Sequence, residues 1–181
     1  MHDDREQQGD KSNRELLVEL MESYGDMVIR VAFTYVKERH LAEDISQEVF
    51  IRCYQSIDSF ENRSSYKSWL YRITVNCCKD YLRSWSFRNL IPNALIKDNG
   101  RFIEALDNQV MEKEENDLLF EQVLKLSVKL REVLIFYYYE DLTVDETANV
   151  LKVNPDTVKS RLFRARKAMK NLIEGGMVFE K

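Results

Sequence analysis

The sequence predicts an all-α protein of two small helical domains joined by an irregular acidic linker, the C-terminal domain a helix-turn-helix. Three observations lead there. The 181 residues include 2 Pro and 5 Gly, too few for a fold rich in tight turns. Apolar residues recur at spacings of three and four, the repeat of an amphipathic helix rather than the alternation of a strand. That repeat fades over Ser86 to Asn116, where Pro92 and the turn signal Asp98-Asn99-Gly100 fall. The length admits one domain or two small ones, and domains of roughly 80 to 90 residues still bury a thin core. With 44 % hydrophobic and 32 % charged residues, the composition is that of a globular protein and not a disordered one.

Residues 1–13 are polar and lack the apolar core of a signal peptide, so they are expected to form a flexible arm. Leu16, Leu20, Tyr24, Val28, Val31 and Tyr35 keep helical spacing and predict a helix from Arg14 to Lys37. A second helix is expected from Leu41 to Ile57, with Ile45, Val49, Cys53 and Ile57 facing inward. The polar stretch Asp58 to Ser65 reads as a loop, and Tyr66 to Trp85 as a third helix burying Tyr66, Leu70, Ile73, Cys77 and Tyr81. The first domain thus spans 14–86 and the linker 87–116. The second domain, 117–181, shows helical patterns at 117–127, 129–139, 143–151 and 155–173.

Several function classes are disfavoured. No run of eighteen apolar residues occurs, so direct membrane insertion is not expected. Cys53, Cys77 and Cys78 form no CxxC pair, and adjacent helical cysteines point about 100° apart, unsuited to a bridge or a tetrahedral metal site. They read as reduced, small apolar packers in a cytoplasmic protein. His2 and His40 are the only histidines, with His40 placed in a helix–helix turn. An enzyme acting on nucleic acid needs metal carboxylates or a nucleophile–base pair, and neither is visible. No catalytic residue, metal, cofactor or small-molecule substrate is expected.

The net charge of −4 conceals two basic regions. Glu61 to Arg88 holds the cations Arg63, Lys67, Arg72, Lys79, Arg83 and Arg88 against Glu61 and Asp80. Pro155 to Leu172 holds Lys159, Arg161, Arg164, Arg166, Lys167 and Lys170 against Asp156. Between them, Asp98 to Asp117 is acidic. Local nucleic-acid contacts on a molecule that binds DNA poorly as a whole fit this distribution.

Thr143 to Arg166 carries the helix-turn-helix. Thr143 and Glu146 have capping-box spacing, and Ala148 allows close helix approach. Lys152-Val153-Asn154 forms the turn, and Pro155 opens the second helix where its missing N–H costs nothing. Lys152 stands where glycine is often found, at a cost of about 1 kcal/mol for a left-handed backbone. On the second helix Val158, Leu162, Ala165, Met169 and Leu172 form the core stripe, and Ser160, Phe163, Arg164 and Lys167 occupy the opposite face. Phe163 there suits contact with a thymine methyl or sugar, and Arg164 suits a guanine edge.

In the first domain, the outward face of the second helix shows Asp44, Gln47, Glu48, Ile51 and Gln55. A branched apolar residue ringed by polar ones has the pattern of a protein-interface anchor, although an ordinary solvated helix also accommodates it. On the third helix Arg72, Asn76, Lys79 and Arg83 form a polar-basic track suited to a phosphate backbone. The preceding loop, Ser59 to Ser65, offers the amide and hydroxyl groups of Asn62, Ser64 and Ser65 beside Arg63. Track, aromatics and polar loop together have the character of single-strand readers that splay out a base.

Three ordered runs resemble the extracytoplasmic-function (ECF) sigma factors of bacterial RNA polymerase. They are Ala42-Glu43-Asp44-Ile45-Ser46-Gln47-Glu48-Val49-Phe50, then Phe60 to Asn76 with Ser68-Trp69-Leu70-Tyr71-Arg72-Ile73, and finally Asp156-Thr157-Val158-Lys159-Ser160-Arg161-Leu162-Phe163-Arg164-Ala165-Arg166. The resemblance implies that Asp44, Gln47 and Glu48 dock on the β′ clamp helices of core RNA polymerase, which makes Ile51 on the same face the apolar anchor, with the β flap a further contact. It implies that Asn62, Arg63, Ser64 and Ser65, backed by Arg72, Asn76, Lys79 and Arg83, read the melted minus-ten promoter element. Lys159, Ser160, Phe163, Arg164 and Lys167 would read the minus-thirty-five element as duplex. The linker would thread the polymerase's active-site cleft and RNA exit path, and an anti-sigma factor would be a regulatory partner. A dimeric helix-turn-helix repressor with an effector-sensing domain is the alternative. It predicts a ligand pocket and a dimer helix, and it explains neither the Asp44 face nor the basic track.

Overall fold

The computed structural model describes residues 3–60, 65–88 and 113–176. Every regular element among them is helical, as expected. The chain divides into two compact units, Met1–Ala94 and Leu95–Lys181. In the first, α1 (Asp3–Val36), α2 (Arg39–Ser56) and α3 (Tyr66–Arg88) each pack on the other two, and a single 3₁₀ turn (Ile57–Ser59) follows α2. In the second, α4 (Lys113–Lys125), α5 (Val128–Leu134), a π-turn (Ile135–Tyr139), α6 (Val144–Leu151) and α7 (Pro155–Gly176) gather around α7.

The first helix begins at Asp3, not Arg14, so residues 3–13 form its opening turns rather than preceding it. It ends on Lys37, held left-handed at φ 58°, whose N–H donates to the Phe33 carbonyl at 2.8 Å. The Glu38 carboxylate then accepts from the N–H groups of His40 and Leu41, each at 2.8 Å, and caps α2. Glu is not among the usual N-caps, which is why the start of α2 reads two residues late from sequence. His40 lies in the first turn of α2, not in a connecting turn.

The inward face of α2 is as expected: Ile45, Val49, Cys53 and Ile57 are buried. The buried face of α3 differs. Leu70 and Cys77 are buried, but Tyr66, Ile73 and Tyr81 are half-exposed, and Tyr71, Thr74, Val75 and Cys78 complete the core instead. Because α3 packs against both α1 and α2, its apolar arc is wider than one stripe and is turned toward Tyr71 and Thr74. The buried Thr74 hydroxyl is satisfied by the Leu70 carbonyl at 2.8 Å.

In the second unit, the helix expected over 129–139 divides into α5 and the π-turn. The wider turn buries Ile135 and Phe136 while leaving Tyr138 and Tyr139 exposed. Arg131 is buried, and its guanidinium donates to the Leu124 carbonyl at 2.6 Å, satisfying the C-terminal end of α4. The expected linker, 87–116, overlaps the last residues of α3 and the first of α4. Its residues 89–112, with most of the acidic stretch, lie outside the described residues. No helix among the described residues is long and apolar enough to cross a membrane.

Candidate functional site

Helix α2 presents Asp44, Gln47, Glu48, Ile51 and Gln55 together on its exposed side, and Ile51 is 52 % exposed. An unpartnered branched side chain there follows from geometry, since Ile45, Val49 and Cys53 commit the opposite face to the core. Sequence reasoning missed how this face is wired. Arg52 takes Glu48 through Nε at 2.7 Å and Asp80 of α3 through Nη1 at 3.1 Å. Asp80 also receives Arg83 at 3.3 Å. The Glu48 and Asp80 hydrogen bonds hold the Arg52 pKa above its ordinary value. Glu48 and Arg52 have the spacing of a helical ion pair, a signal available from sequence. That Asp80 joins them is a tertiary fact. An open crevice of about 290 Å³ between α2 and α3 is lined by Asp44, Glu48, Arg52, Cys77, Asp80 and Tyr81.

The polar-basic track lies opposite the core of α3. At 100° per residue, Arg72, Asn76, Lys79 and Arg83 centre about 150° from the buried arc. Asn76 and Arg83 are exposed, and Arg72 and Lys79 are half-buried. Asn62, Arg63 and Ser64 lie outside the described residues. The elements flanking them are defined. Phe60 stacks on Tyr66 with centroids 4.6 Å apart and leans on Trp69 at 4.9 Å, which brings the two ends of the loop together. Ser65, expected among the base-reading residues, caps α3: its hydroxyl accepts from the Ser68 N–H at 3.2 Å.

The helix-turn-helix has its expected construction. The Thr143 hydroxyl accepts from the Glu146 N–H at 3.2 Å, and the Glu146 carboxylate accepts from the Thr143 N–H at 2.9 Å. These bonds draw the Glu146 pKa below the ordinary carboxylate range. Lys152 is left-handed at φ 55°, and Asn154 caps α7 by accepting from the Asp156 N–H at 2.8 Å. Val158, Leu162, Ala165 and Met169 are buried. Ser160, Arg164 and Lys167 are exposed, Lys159 is exposed and paired with Asp156 at 3.0 Å, and Phe163 is 70 % exposed.

Arg161 and Arg166 of α7 do not join that face. Arg161 donates from Nη1 to Glu132 of α5 at 2.8 Å. Arg166 donates from Nε to the Tyr138 hydroxyl at 2.8 Å, with its guanidinium 5.6 Å from the ring centroid. On the helical wheel they lie about 70° to either side of the buried stripe. Beside Arg166 an apolar groove of about 620 Å³, not legible in the sequence, is lined by residues including Leu119, Val123, Ile135, Tyr139, Met169 and Ile173.

Two family models match the chain, one in each unit. Residues 20–87 match the model of Sigma-70 region 2, and residues 117–169 match that of Sigma-70 region 4. The chain is 31 % identical to the ECF RNA polymerase sigma-E factor of Haemophilus influenzae over 179 residues, covering 94 % of this chain and 93 % of that protein. The chain belongs to the ECF sigma factor family. The sigma factor is also 28 % identical to SigW of Bacillus subtilis over 168 residues, 88 % of this chain and 90 % of SigW. Two solved structures share the fold at 20 % identity. CnrH in complex with the cytosolic domain of CnrY has a TM-score of 0.67 over 93 % of this chain and 94 % of that one. RpoE of Bartonella quintana in complex with the anti-sigma factor NepR has a TM-score of 0.64 over 91 % and 98 %. An alternative sigma factor, a subunit that recruits RNA polymerase to promoter DNA, is thus supported over a dimeric repressor.

Proposed function

We propose that this sigma factor docks on core RNA polymerase through Asp44, Gln47, Glu48 and Ile51. The observation that carries the reading is the α2 face, where Ile51 stands 52 % exposed among acidic and amide side chains. An apolar anchor inside a polar rim is how interface hot spots are built. The duplex upstream element is read by Ser160, Phe163 and Arg164, with Lys159 and Lys167 on flanking phosphates. The downstream element is captured as melted strand by Asn62, Arg63 and Ser64, with Ser65 capping the helix that follows them. The track Arg72, Asn76, Lys79 and Arg83 holds the flanking backbone so that the duplex does not close again. The apolar groove of the second unit suits the β flap.

The protein works in the cytoplasm and acts by binding, while the polymerase supplies the chemistry. An anti-sigma factor is its regulator, by analogy with RpoE of Bartonella quintana, which is seen in complex with the anti-sigma factor NepR. The test is reconstitution with core polymerase and run-off transcription from a promoter library. Promoter-specific transcripts that depend on the added protein support the reading, and failure to bind core polymerase sinks it. The melting role has its own test. Asn62→Ala with Arg63→Ala should leave closed complexes intact and strongly reduce permanganate-reactive thymines at the start site, while unchanged opening of a duplex promoter assigns melting elsewhere.

A further inference from the structure

Glu132 lies in α5 and is 3 % exposed. A carboxylate taken out of water is unfavourable unless a partner and good geometry compensate. One partner comes from the helix proposed to read DNA: Arg161 meets Glu132 at 2.8 Å, with its own side chain 19 % exposed. In sequence Arg161 is one of six cations in a basic segment, indistinguishable from a phosphate contact. In the fold it is turned away from the face carrying Ser160, Phe163, Arg164 and Lys167.

We propose that Glu132 and Arg161 form a positioning pair that sets the rotation of α7 about its axis, so that upstream-element specificity depends on two residues that do not touch DNA. The stripe Val158, Leu162, Ala165 and Met169 attaches α7 to the core, but apolar burial is non-directional and tolerates a small roll. A charge-assisted hydrogen bond at the flank of the stripe does not. The Arg166–Tyr138 contact on the other flank opposes rotation in the reverse sense. A roll of about 20° at a helix radius of about 6 Å moves a side-chain tip by about 2 Å. That displacement breaks a base-edge hydrogen bond, whose donor–acceptor distance spans only about 0.5 Å. A phosphate contact made by flexible Lys167 survives it.

The pairing itself is a property of the fold, and its effect on specificity rests on the proposed base-reading face. The experiment uses holoenzyme assembled from core polymerase with the full-length parent, Glu132→Gln, Arg161→Lys, Arg161→Ala or Arg164→Ala. Run-off transcription is measured on a promoter selected by the parent holoenzyme and on a panel with single base changes in its upstream element. Salt dependence of binding and thermal melting are recorded for each variant. Glu132→Gln and Arg161→Lys should melt above the assay temperature and lose about ten-fold in the ratio of parent to altered promoters at several positions. Arg161→Ala should leave the salt slope unchanged. Weakening of all promoters alike, a salt slope reduced by about one in Arg161→Ala, or unfolding of both conservative variants at the assay temperature overturns the proposal. In those cases the pair serves as a phosphate contact or a stability element. Arg164→Ala separates the two layers: if it leaves every base preference intact, the base-reading face is what fails, whatever the pair does.

Discussion

Arg52 and Asp80 join α2 to α3 across 3.1 Å, and through Arg52 the Glu48 carboxylate is tied to the same point. The face proposed for polymerase and the helix proposed for the DNA backbone therefore share one ion-pair network. All of these groups are well hydrated, so each pair adds little to stability. A double-mutant cycle of Arg52→Ala with Asp80→Ala should give a coupling of about 0.5–1 kcal/mol that shrinks with added salt. A salt-independent coupling of several kcal/mol would mean that the network is effectively buried.

Ile51 tests the docking face. Ile51→Glu should weaken core polymerase binding by about 2 kcal/mol or more, the size of a hot-spot loss. Because Ile51 lies outside the core, circular dichroism and thermal melting should match the parent. Unchanged affinity in a folded variant removes this helix from the interface.

Arg164 and Lys167 are both exposed on α7 and are assigned different work. Arg164→Ala should cost about 1–3 kcal/mol and relax one base position, whereas Lys167→Ala should weaken all sequences alike and reduce the salt slope by about one. Identical base-preference profiles in the two variants would contradict the assignment.

The capping box that starts α6 makes a pH-dependent prediction. Thr143→Ala should destabilise the second unit by about 1 kcal/mol at neutral pH. Hydrogen bonds from Thr143 lower the Glu146 pKa in the folded state. The stabilisation from the ionised carboxylate is therefore present above the ordinary carboxylate range and lost as pH falls through the folded value. The difference between parent and Thr143→Ala, measured by denaturant melts, should narrow on acidification from pH 7 to pH 3.

The cysteines should be inert in the folded protein. Burial pushes the thiols of Cys53 and Cys77 up to about 11 and raises that of Cys78 as well. At pH 8 a pKa of about 11 leaves about one thiolate in a thousand, and the thiolate is the nucleophile. Alkylation by iodoacetamide, followed by mass spectrometry, should await unfolding. Rapid labelling of Cys53 or Cys77 in the folded state would show that α2 and α3 open locally.

The features legible in the order of amino acids follow local rules. Spacing of apolar residues identified the inward face of α2 and the core stripe of α7, and so left Ile51 and Phe163 outside. Capping chemistry at Thr143 and Glu146, with Pro155 at a helix start, located the helix-turn-helix, because these interactions join residues within one turn. Features that depend on a second surface became visible only in the packed fold. The core of α3 turned toward Tyr71 and Thr74 because two helices cover it, which one helical stripe cannot encode. Glu38 became a cap in a connection whose left-handed Lys37 no glycine announced. Arg161 reads as a cation like its neighbours, and only the approach of α5 assigns it to buried Glu132. Side chains matched within a helix turn are legible because the backbone fixes their separation. Glu132 and Arg161, 29 residues apart, meet because α5 packs against α7.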